Sequence, residues 1–138
     1  MLSLHVSLAL LLSTLLTAPQ PAKGSLAQEV HKLTEAINRR DLNALKAEVS
    51  PSRIYVEIAD KPGAYLTSSQ TVVVMESFMQ NRTSLNSSFE FVTDDGERGS
   101  ASGQLAARYD GRPVTYRLNF GFLKNDQGKW QLTKISMK

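Results

Sequence analysis

The sequence contains no cysteine and only two histidines among its 138 residues. The lack of cysteine excludes disulfides, thiolate catalysis and a lipid-attachment cysteine. Because a zinc or iron site normally takes several His or Cys ligands, we expect no transition-metal centre and no cofactor. A domain built from this chain must therefore be held together by its hydrophobic core.

Long hydrophobic runs are also missing. The longest covers residues 8–16 and is interrupted only by Ser13 and Thr14. It is too short to span a bilayer as a helix of about 20 residues, but it has the length of the hydrophobic region of a signal peptide. Export is the favoured interpretation, and a buried N-terminal helix is the alternative.

Small residues and two prolines follow that run, which is typical of a signal-peptide cleavage site. Cleavage after Ala22 or Gly24 satisfies the requirement for a small residue. We therefore predict a signal peptide at residues 1–22 and a single domain at residues 25–138, with no transmembrane segment in the mature chain. The mature protein is expected to be periplasmic or secreted.

The net charge is small, +3, but it is unevenly distributed. Residues 25–97 carry 7 basic and 11 acidic side chains, whereas residues 98–138 carry 8 basic and 2 acidic side chains. The alternatives are a solvated sheet face and a surface for an anionic or protein partner. Arg108, Arg117 and Lys134 are the interface candidates, and since no aromatic residues interleave them, we expect no nucleic-acid binding.

Three segments carry the signals of helices. The first has one apolar stripe, formed by Leu26, Val30, Leu33 and Ile37. Ser25 precedes that stripe as a helix N-cap, and Asp41 precedes a short second helix, LNALKAEV, in the same way. Thr67 opens the third helix, SSQTVVVMESFMQN, with the capping-box sequence TSSQ. The sequence therefore predicts three helices within residues 25–81.

The rest of the chain has the pattern of strands joined by tight turns. RIYVEIAD alternates apolar and polar residues, and four further strand-like segments follow: SSFEFVT, SASGQLAARY, VTYRLNFGFL and KWQLTKISM. The turns DDGE, DG and NDQG join these four as hairpins. The last strand changes parity after Leu132, which predicts a β-bulge at Thr133 or Lys134 and a curved antiparallel sheet.

The turns also predict the pairing of the strands. A two-residue DG loop pairs Tyr109 with Arg112. A three-residue loop within DDGE would place Phe91 beside Ala101 and Phe89 beside Gly103.

The order of these elements resembles the nuclear transport factor 2-like superfamily. The closer likeness is to an exported bacterial family, domain of unknown function 4783, and it rests on five segments: INRRDLNAL, VEI, LTSSQTVVVMESFM, SGQL and KWQLTKISM. The resemblance implies an α+β fold in which a curved antiparallel sheet wraps three helices to form a cone. It supplies no activity and no catalytic residues, so function must be argued from the residues themselves.

Enzymes of this superfamily use an Asp or His together with a Tyr that projects into the cone, and this resemblance directs attention to the inner face of the sheet. The predicted inner-face residues are Ala101, Gly103, Leu105, Ala107, Val114, Tyr116, Leu118, Phe120, Phe122, Trp130, Leu132, Ile135 and Met137. None of them is a general acid or base at neutral pH, and Tyr116 is the only strong polar group. We therefore predict no catalytic residues.

Other polar residues have a structural interpretation that outweighs a functional one. Tyr116 is expected to be a core tyrosine whose hydroxyl finds a partner at the rim. Glu57 should face outward from its strand, and His31 should lie on a helix surface, so neither is favoured as a base. Residues 94–97, DDGE, carry three carboxylates but too few ligands for calcium, and a solvated turn is favoured.

The sequence thus predicts an exported, non-catalytic binding domain. It would bind either a small apolar ligand in the cone or a protein partner on the outer sheet face. The candidate pocket residues are Tyr116, Phe120, Leu118, Gly103, Phe78 and Trp130. The alternatives are an isomerase or dehydratase of the same fold, and a homodimeric structural protein of the envelope.

Overall fold

The structure, a computed structural model, describes residues 22–138. The helices are α1 (Leu26–Arg39), α2 (Leu42–Glu48) and α3 (Ser68–Gln80). The strands are β1 (Ile54–Ile58), β2 (Ala64–Leu66), β3 (Arg82–Asp94), β4 (Arg98–Tyr109), β5 (Arg112–Lys124) and β6 (Trp130–Met137). Within these residues no helix is both long and apolar enough to span a bilayer. The predicted signal peptide, apart from its last residue, Ala22, lies outside the described residues.

All three helices begin at the residues that the sequence predicted. The Ser25 hydroxyl accepts a hydrogen bond from the Gln28 amide, while the Gln28 side chain accepts one from the Gly24 amide. The Asp41 carboxylate caps α2 in the same way. Thr67 and the glutamine three residues later form a complete capping box at α3. Each cap satisfies an amide that the first helical turn leaves unpaired.

The sheet has six strands in the order β2-β1-β6-β5-β4-β3. The expectation of a wholly antiparallel sheet needs one correction, since β1 and β6 are parallel, with Val56 opposite Ile135. The parallel pair arises because β1 is separated from β6 by α3 and several strands, rather than by a hairpin turn. β2 was not predicted, because its three residues are too few to show alternation.

Two predicted features of strand pairing are confirmed. Tyr109 lies opposite Arg112 across the DG turn. In β6 the register shifts at Thr133, which is the extra residue between Leu132 and Lys134. This bulge returns the side chains that follow it to the inner face, so both halves of β6 contribute to the core.

The predicted partner of Phe91 is wrong. Phe91 lies opposite Ser102, not Ala101, because the turn is one residue longer than expected and pairs Asp94 with Gly99. The sequence signal DDGE is compatible with both turn lengths, so it could not settle this choice.

A bulge in β3 then restores the predicted register. The shift falls at Glu90, and beyond it Phe89 lies opposite Gly103, as expected. The reason that position 103 requires glycine is not the aromatic ring beside it. A β-carbon there would lie 1.9 Å from the carbonyl oxygen of Ser88, so the main chain of β3 occupies the space that any side chain would need.

The inner face of the sheet packs against the helices and forms the core. Ten of the thirteen predicted inner-face residues are buried: Ala101, Leu105, Ala107, Leu118, Phe120, Phe122, Trp130, Leu132, Ile135 and Met137. Gly103, Val114 and Tyr116 are half-buried at its margin. From the helices, Leu33, Ile37 and Met75 are almost fully buried against this face. The predicted α+β cone is confirmed.

Candidate functional site

The interior of the cone is occupied by side chains. Of the six pocket candidates, Leu118, Phe120, Phe78 and Trp130 are buried, and Tyr116 and Gly103 are half-buried. The ring of Phe78 meets that of Tyr116 edge to face at a centroid distance of 5.1 Å. A similar contact of 5.2 Å joins two further rings, those of Phe89 and Phe120. The room that small sheet residues leave is therefore taken up by aromatic packing.

Arg82, the first residue of β3, lies opposite Tyr109 at the end of the sheet that we call the mouth of the cone. Its Nε donates a hydrogen bond of 2.7 Å to the Tyr116 hydroxyl, and its Nη1 donates one of 2.9 Å to the Phe78 carbonyl. The guanidinium lies 4.0 Å from the centre of the Phe78 ring, 4.7 Å from that of Tyr109 and 5.2 Å from that of Tyr116. Hydrogen bonds and cation–π contacts together fix this cation in one pose.

A second arginine reaches the same end of α3. Arg40 follows α1 in the left-handed conformation, with φ of 58°. Its Nη1 donates a hydrogen bond of 2.7 Å to the Met79 carbonyl, and its Nη2 donates one to the Arg82 carbonyl. Two guanidinium groups thus satisfy carbonyls at the C-terminus of α3, where the helix dipole favours positive charge.

The outer face of the sheet carries an open recess. It has a volume of about 760 Å³ and spans β3 to β6. Its principal side chains are Glu90, Phe91, Gln104, Arg117, Asn119 and Lys138. Phe91 is 66% exposed, which is unusual for a large aromatic residue. Strand alternation explains the polar lining, since the buried residues of the same strands point the other way.

The structure brings only one of the three interface candidates into this recess. Arg117 lines it, and among residues 22–138 it makes no ion pair. Arg108 and Lys134 are exposed elsewhere, and the Arg108 guanidinium donates a hydrogen bond of 2.6 Å to the Gly111 carbonyl of its own hairpin turn. Sequence reasoning missed Lys138, whose place beside Arg117 depends on the parity change at the β6 bulge.

The two candidate bases lie away from Tyr116. Glu57 is on β1, and its carboxylate pairs with the Lys138 ammonium. His31 is exposed on α1 and lies 3.5 Å from the Glu35 carboxylate. The Tyr116 hydroxyl accepts its hydrogen bond from Arg82. Among the described residues neither Glu57 nor His31 is hydrogen-bonded to the tyrosine hydroxyl.

The acidic turn at residues 94–97 uses its carboxylates internally. One oxygen of Asp95 accepts hydrogen bonds from the Glu97 and Arg98 amides, at 3.0 and 2.8 Å. These bonds hold the pKa of the Asp95 carboxyl below its ordinary value. Across residues 22–138 no three acidic, His or Cys side chains converge in a way that could hold a metal ion.

A carboxyl pair that the sequence analysis missed lies between α1 and α2. Glu29 is only 5% exposed and is hydrogen-bonded to the half-buried Glu48. Burial, that hydrogen bond and the charge of Glu29 together raise the pKa of Glu48 to about 7, against the pull of Lys129 and Lys32. The sequence did contain a signal that Glu29 is buried, because it lies on the apolar stripe of α1, three residues after Leu26.

No family model matches the sequence, and no curated protein is similar to it in sequence. Several solved structures share its fold. A DUF4783 family protein from Bacteroides uniformis has a TM-score of 0.68 at 16% identity, over 78% of this chain and 94% of that chain. A ketosteroid isomerase-like protein from Erwinia carotovora atroseptica has a TM-score of 0.70 at 16% identity, over 81% and 91%.

A third neighbour is an LEH-like epoxide hydrolase from M. tuberculosis, with a TM-score of 0.61 at 13% identity, over 80% of this chain and 74% of that chain. At such low identities the likeness shows the fold alone. The predicted resemblance is confirmed at that level, since the chain has the nuclear transport factor 2-like fold and DUF4783 proteins are among its structural neighbours. Proteins of this fold include both enzymes and proteins of unknown function.

Proposed function

We propose that this chain with the nuclear transport factor 2-like fold is an exported, non-catalytic binding domain that recognises a protein partner through the outer face of its sheet. The observation that carries the proposal is the contrast between the two faces. The inner face is packed with side chains, whereas the outer face has a recess of about 760 Å³. Export is supported by the pattern of residues 1–22.

The composition of the recess supports a protein partner. Phe91 offers an exposed aromatic ring, and Arg117 offers a guanidinium with no ion pair among the described residues. Aromatic side chains and arginine are the residues that most often dominate the energetics of protein interfaces. Gln104 and Asn119 add hydrogen-bonding groups around them. A partner segment with an apolar side chain for Phe91 and a carboxylate for Arg117 would suit this surface.

A small apolar ligand inside the cone is less well supported. It would have to displace Leu118, Phe120 or Phe78, which already bury their apolar surface. Expelling one such side chain into water costs about 1.5–3 kcal/mol. A small molecule bound inside the cone would therefore have to make apolar contacts equal to those of the side chain that it displaces.

An isomerase or dehydratase activity is the alternative from another class. Its support is the fold shared with a ketosteroid isomerase-like protein and an epoxide hydrolase. Such chemistry needs an acid or base in reach of the substrate, but the Glu57 carboxylate is paired with Lys138, and His31 is exposed on α1 beside Glu35. The binding role is therefore the proposal that the geometry favours.

The test is native mass spectrometry on protein exported with its own leader and purified gently. We expect a non-covalent complex with a polypeptide, which Phe91→Ala and Arg117→Glu weaken at least tenfold. Lys46→Glu is the matched control, because it makes the same charge change on the exposed surface of α2.

Four outcomes can be distinguished. A complex with a second copy that Arg117→Glu dissociates would support the same surface and identify the protein as a homodimer. A bare monomer at all concentrations would contradict the proposal, as would a complex that survives both sheet variants. A small bound molecule that is lost on denaturation but insensitive to Arg117→Glu would place the ligand away from the outer face and would contradict the proposal.

A further inference from the structure

Arg82 is a half-buried cation without an ion pair in the part of the chain that the structure describes. Buried charges are normally paired, because the loss of hydration must be offset by an opposite charge or by hydrogen bonds. The two hydrogen bonds of Arg82 go to neutral groups, the Tyr116 hydroxyl and the Phe78 carbonyl. An anion that binds beside Arg82 would therefore be stabilised by its uncompensated positive charge.

The donors of Arg82 are only partly used. Nε and Nη1 make the two hydrogen bonds, and no hydrogen bond within residues 22–138 uses Nη2. Three aromatic rings hold the guanidinium plane in place, so little further ordering is needed when an anion binds. A preorganised arginine of this kind can bind a carboxylate through its unused Nη2 donors, in a charge-assisted hydrogen bond.

A small cavity adjoins this arginine. Its volume is about 210 Å³, and its polar and aromatic lining includes Asp60, Lys61, Ser77, Asn81, Arg82 and Tyr109. Apolar contact is supplied by Ile58 and Val74. The cavity is smaller than the roughly 300–1,000 Å³ of sites for drug-sized ligands. Its occupant should therefore be small, with one polar end and one apolar end.

We propose that the mouth of the cone is a binding site for a small monocarboxylate with an apolar or aromatic body. The carboxylate would pair with Arg82, and the Lys61 ammonium would add to the positive potential. The body would lie against Ile58, Val74 and the Tyr109 ring. Asp60 is the one acidic residue in the lining and limits the affinity by repulsion.

This site is independent of the proposed function. It uses the opposite face of the sheet from Phe91 and Arg117, and it lies outside the packed interior of the cone. A protein partner on the outer face and a carboxylate at the mouth could be bound separately. Failure of either proposal would leave the other unaffected.

The first test compares benzoate with benzamide on the wild-type protein, residues 23–138, by NMR titration at pH 7. The two probes share a ring and differ in charge. Because a hydrogen bond to a charged group contributes about 1.5–3 kcal/mol, we expect benzoate to bind at least tenfold more tightly. Shifts should centre on Lys61, Asn81 and Tyr109. Equal binding of the two probes, or no shifts at millimolar benzoate, would overturn the proposal.

Variants then locate the interaction. Arg82→Gln should lower the affinity for benzoate at least tenfold, Lys61→Gln should lower it about threefold, and Asp60→Asn should raise it about threefold. Lys46→Gln, on the exposed surface of α2, is the control and should leave it unchanged. If Arg82→Gln does not fold, the Lys61 and Asp60 variants still test the site, because both residues are exposed and can be substituted without disturbing the core. Unchanged affinity in both would refute the assignment.

Discussion

At the scale of single residues, Glu29 and Glu48 show how burial changes the chemistry of a side chain. Both belong to helices and both would be acids of ordinary strength in water. Packed together between α1 and α2, they are hydrogen-bonded to each other, and one carboxyl keeps its proton up to about pH 7. The folded protein therefore binds a proton that the unfolded chain releases near pH 4.5.

This proton makes the stability depend on pH. Since the pKa of Glu48 is raised by folding, its contribution to the free energy of unfolding is full below pH 4.5 and is lost as the pH rises to about 7. Glu48→Gln keeps a donor for Glu29 and removes the titration. From pH 5 to pH 8 the free energy of unfolding of the variant should rise by about 1–2 kcal/mol relative to that of the wild type. This range allows for solvent screening at the exposed side of the pair.

Urea unfolding at a series of pH values measures this difference. Glu76→Gln is the control, because Glu76 is an exposed glutamate on α3 with no ion pair among residues 22–138. The loss of stability with rising pH should persist in the control and flatten in Glu48→Gln. Parallel curves for the wild type and Glu48→Gln would show that the pair shares no proton.

Gly103 gives a second prediction for a single residue. A β-carbon at this position would lie 1.9 Å from the Ser88 carbonyl oxygen and 2.7 Å from the Phe89 α-carbon. Since main-chain atoms of β3 cannot move aside without breaking strand pairing, Gly103→Ala should cost about 3 kcal/mol or more. Gly121→Ala is the matched control, because its nearest neighbour would be a side-chain atom of Lys134 at 3.0 Å.

Thermal unfolding followed by circular dichroism compares the two variants. The control should lower the melting temperature by only a few degrees, and Gly103→Ala should lower it several times more. Similar melting temperatures for the two would mean that β3 can shift away from β4.

At the scale of elements, the C-terminus of α3 depends on Arg40, which belongs to the loop after α1. Arg40 has a positive φ, a conformation in which glycine is the usual residue. An arginine there is explained by its side chain, which donates hydrogen bonds to the Met79 and Arg82 carbonyls. One side chain thus connects the end of α1 to the junction of α3 and β3.

The balance of these effects predicts an order of stability. Arg40→Gly removes the cost of the left-handed conformation, about 1 kcal/mol, but it also loses two charge-assisted hydrogen bonds. The variant should therefore be less stable than the wild type by about 1–3 kcal/mol. Arg40→Ala loses the same bonds without that relief and should be the least stable. Chemical denaturation of the three proteins tests the order. A glycine variant more stable than the wild type would show that the side-chain bonds contribute little.

At the scale of the whole molecule, the curved sheet separates two environments. Its inner face is occupied by the core and its outer face by polar and basic side chains. The basic surplus of residues 98–138 follows from this arrangement, since β4 to β6 supply most of the outer face. A stable domain of this kind needs neither disulfides nor metal, which agrees with the absence of cysteine.

Export is the prediction that concerns the whole chain. Expressed in a bacterial host with its own leader, the protein should be recovered from the periplasm or medium with a mass that begins at Lys23 or Ser25. Intact-mass spectrometry of the fractions measures this directly. Changing Leu10 and Leu12 to arginine should block export and leave the full-length chain in the cytoplasm. A full-length wild-type chain in the cytoplasm would contradict the prediction.

The sequence by itself determined the helices, the hairpins and the inner face. Caps at Ser25, Asp41 and Thr67, apolar stripes and strand alternation are local signals, readable over a few neighbouring residues. The β6 bulge was also readable, because apolar residues of both parities in one strand can share a face only if one extra residue separates them. These signals were enough to predict three helices, a curved sheet and an inner face without an acid or base, while the resemblance supplied their arrangement as a cone.

Only the tertiary structure decided what lies at each candidate site. The Glu29–Glu48 pair and the rings around Arg82 join residues that are far apart in the chain, and no local pattern records such contacts. Whether the cone is filled depends on how closely side chains from several elements pack, which is a property of volumes in three dimensions. The outer recess likewise exists because strand pairing and the bulge at Glu90 place Phe91 and Arg117 on one surface.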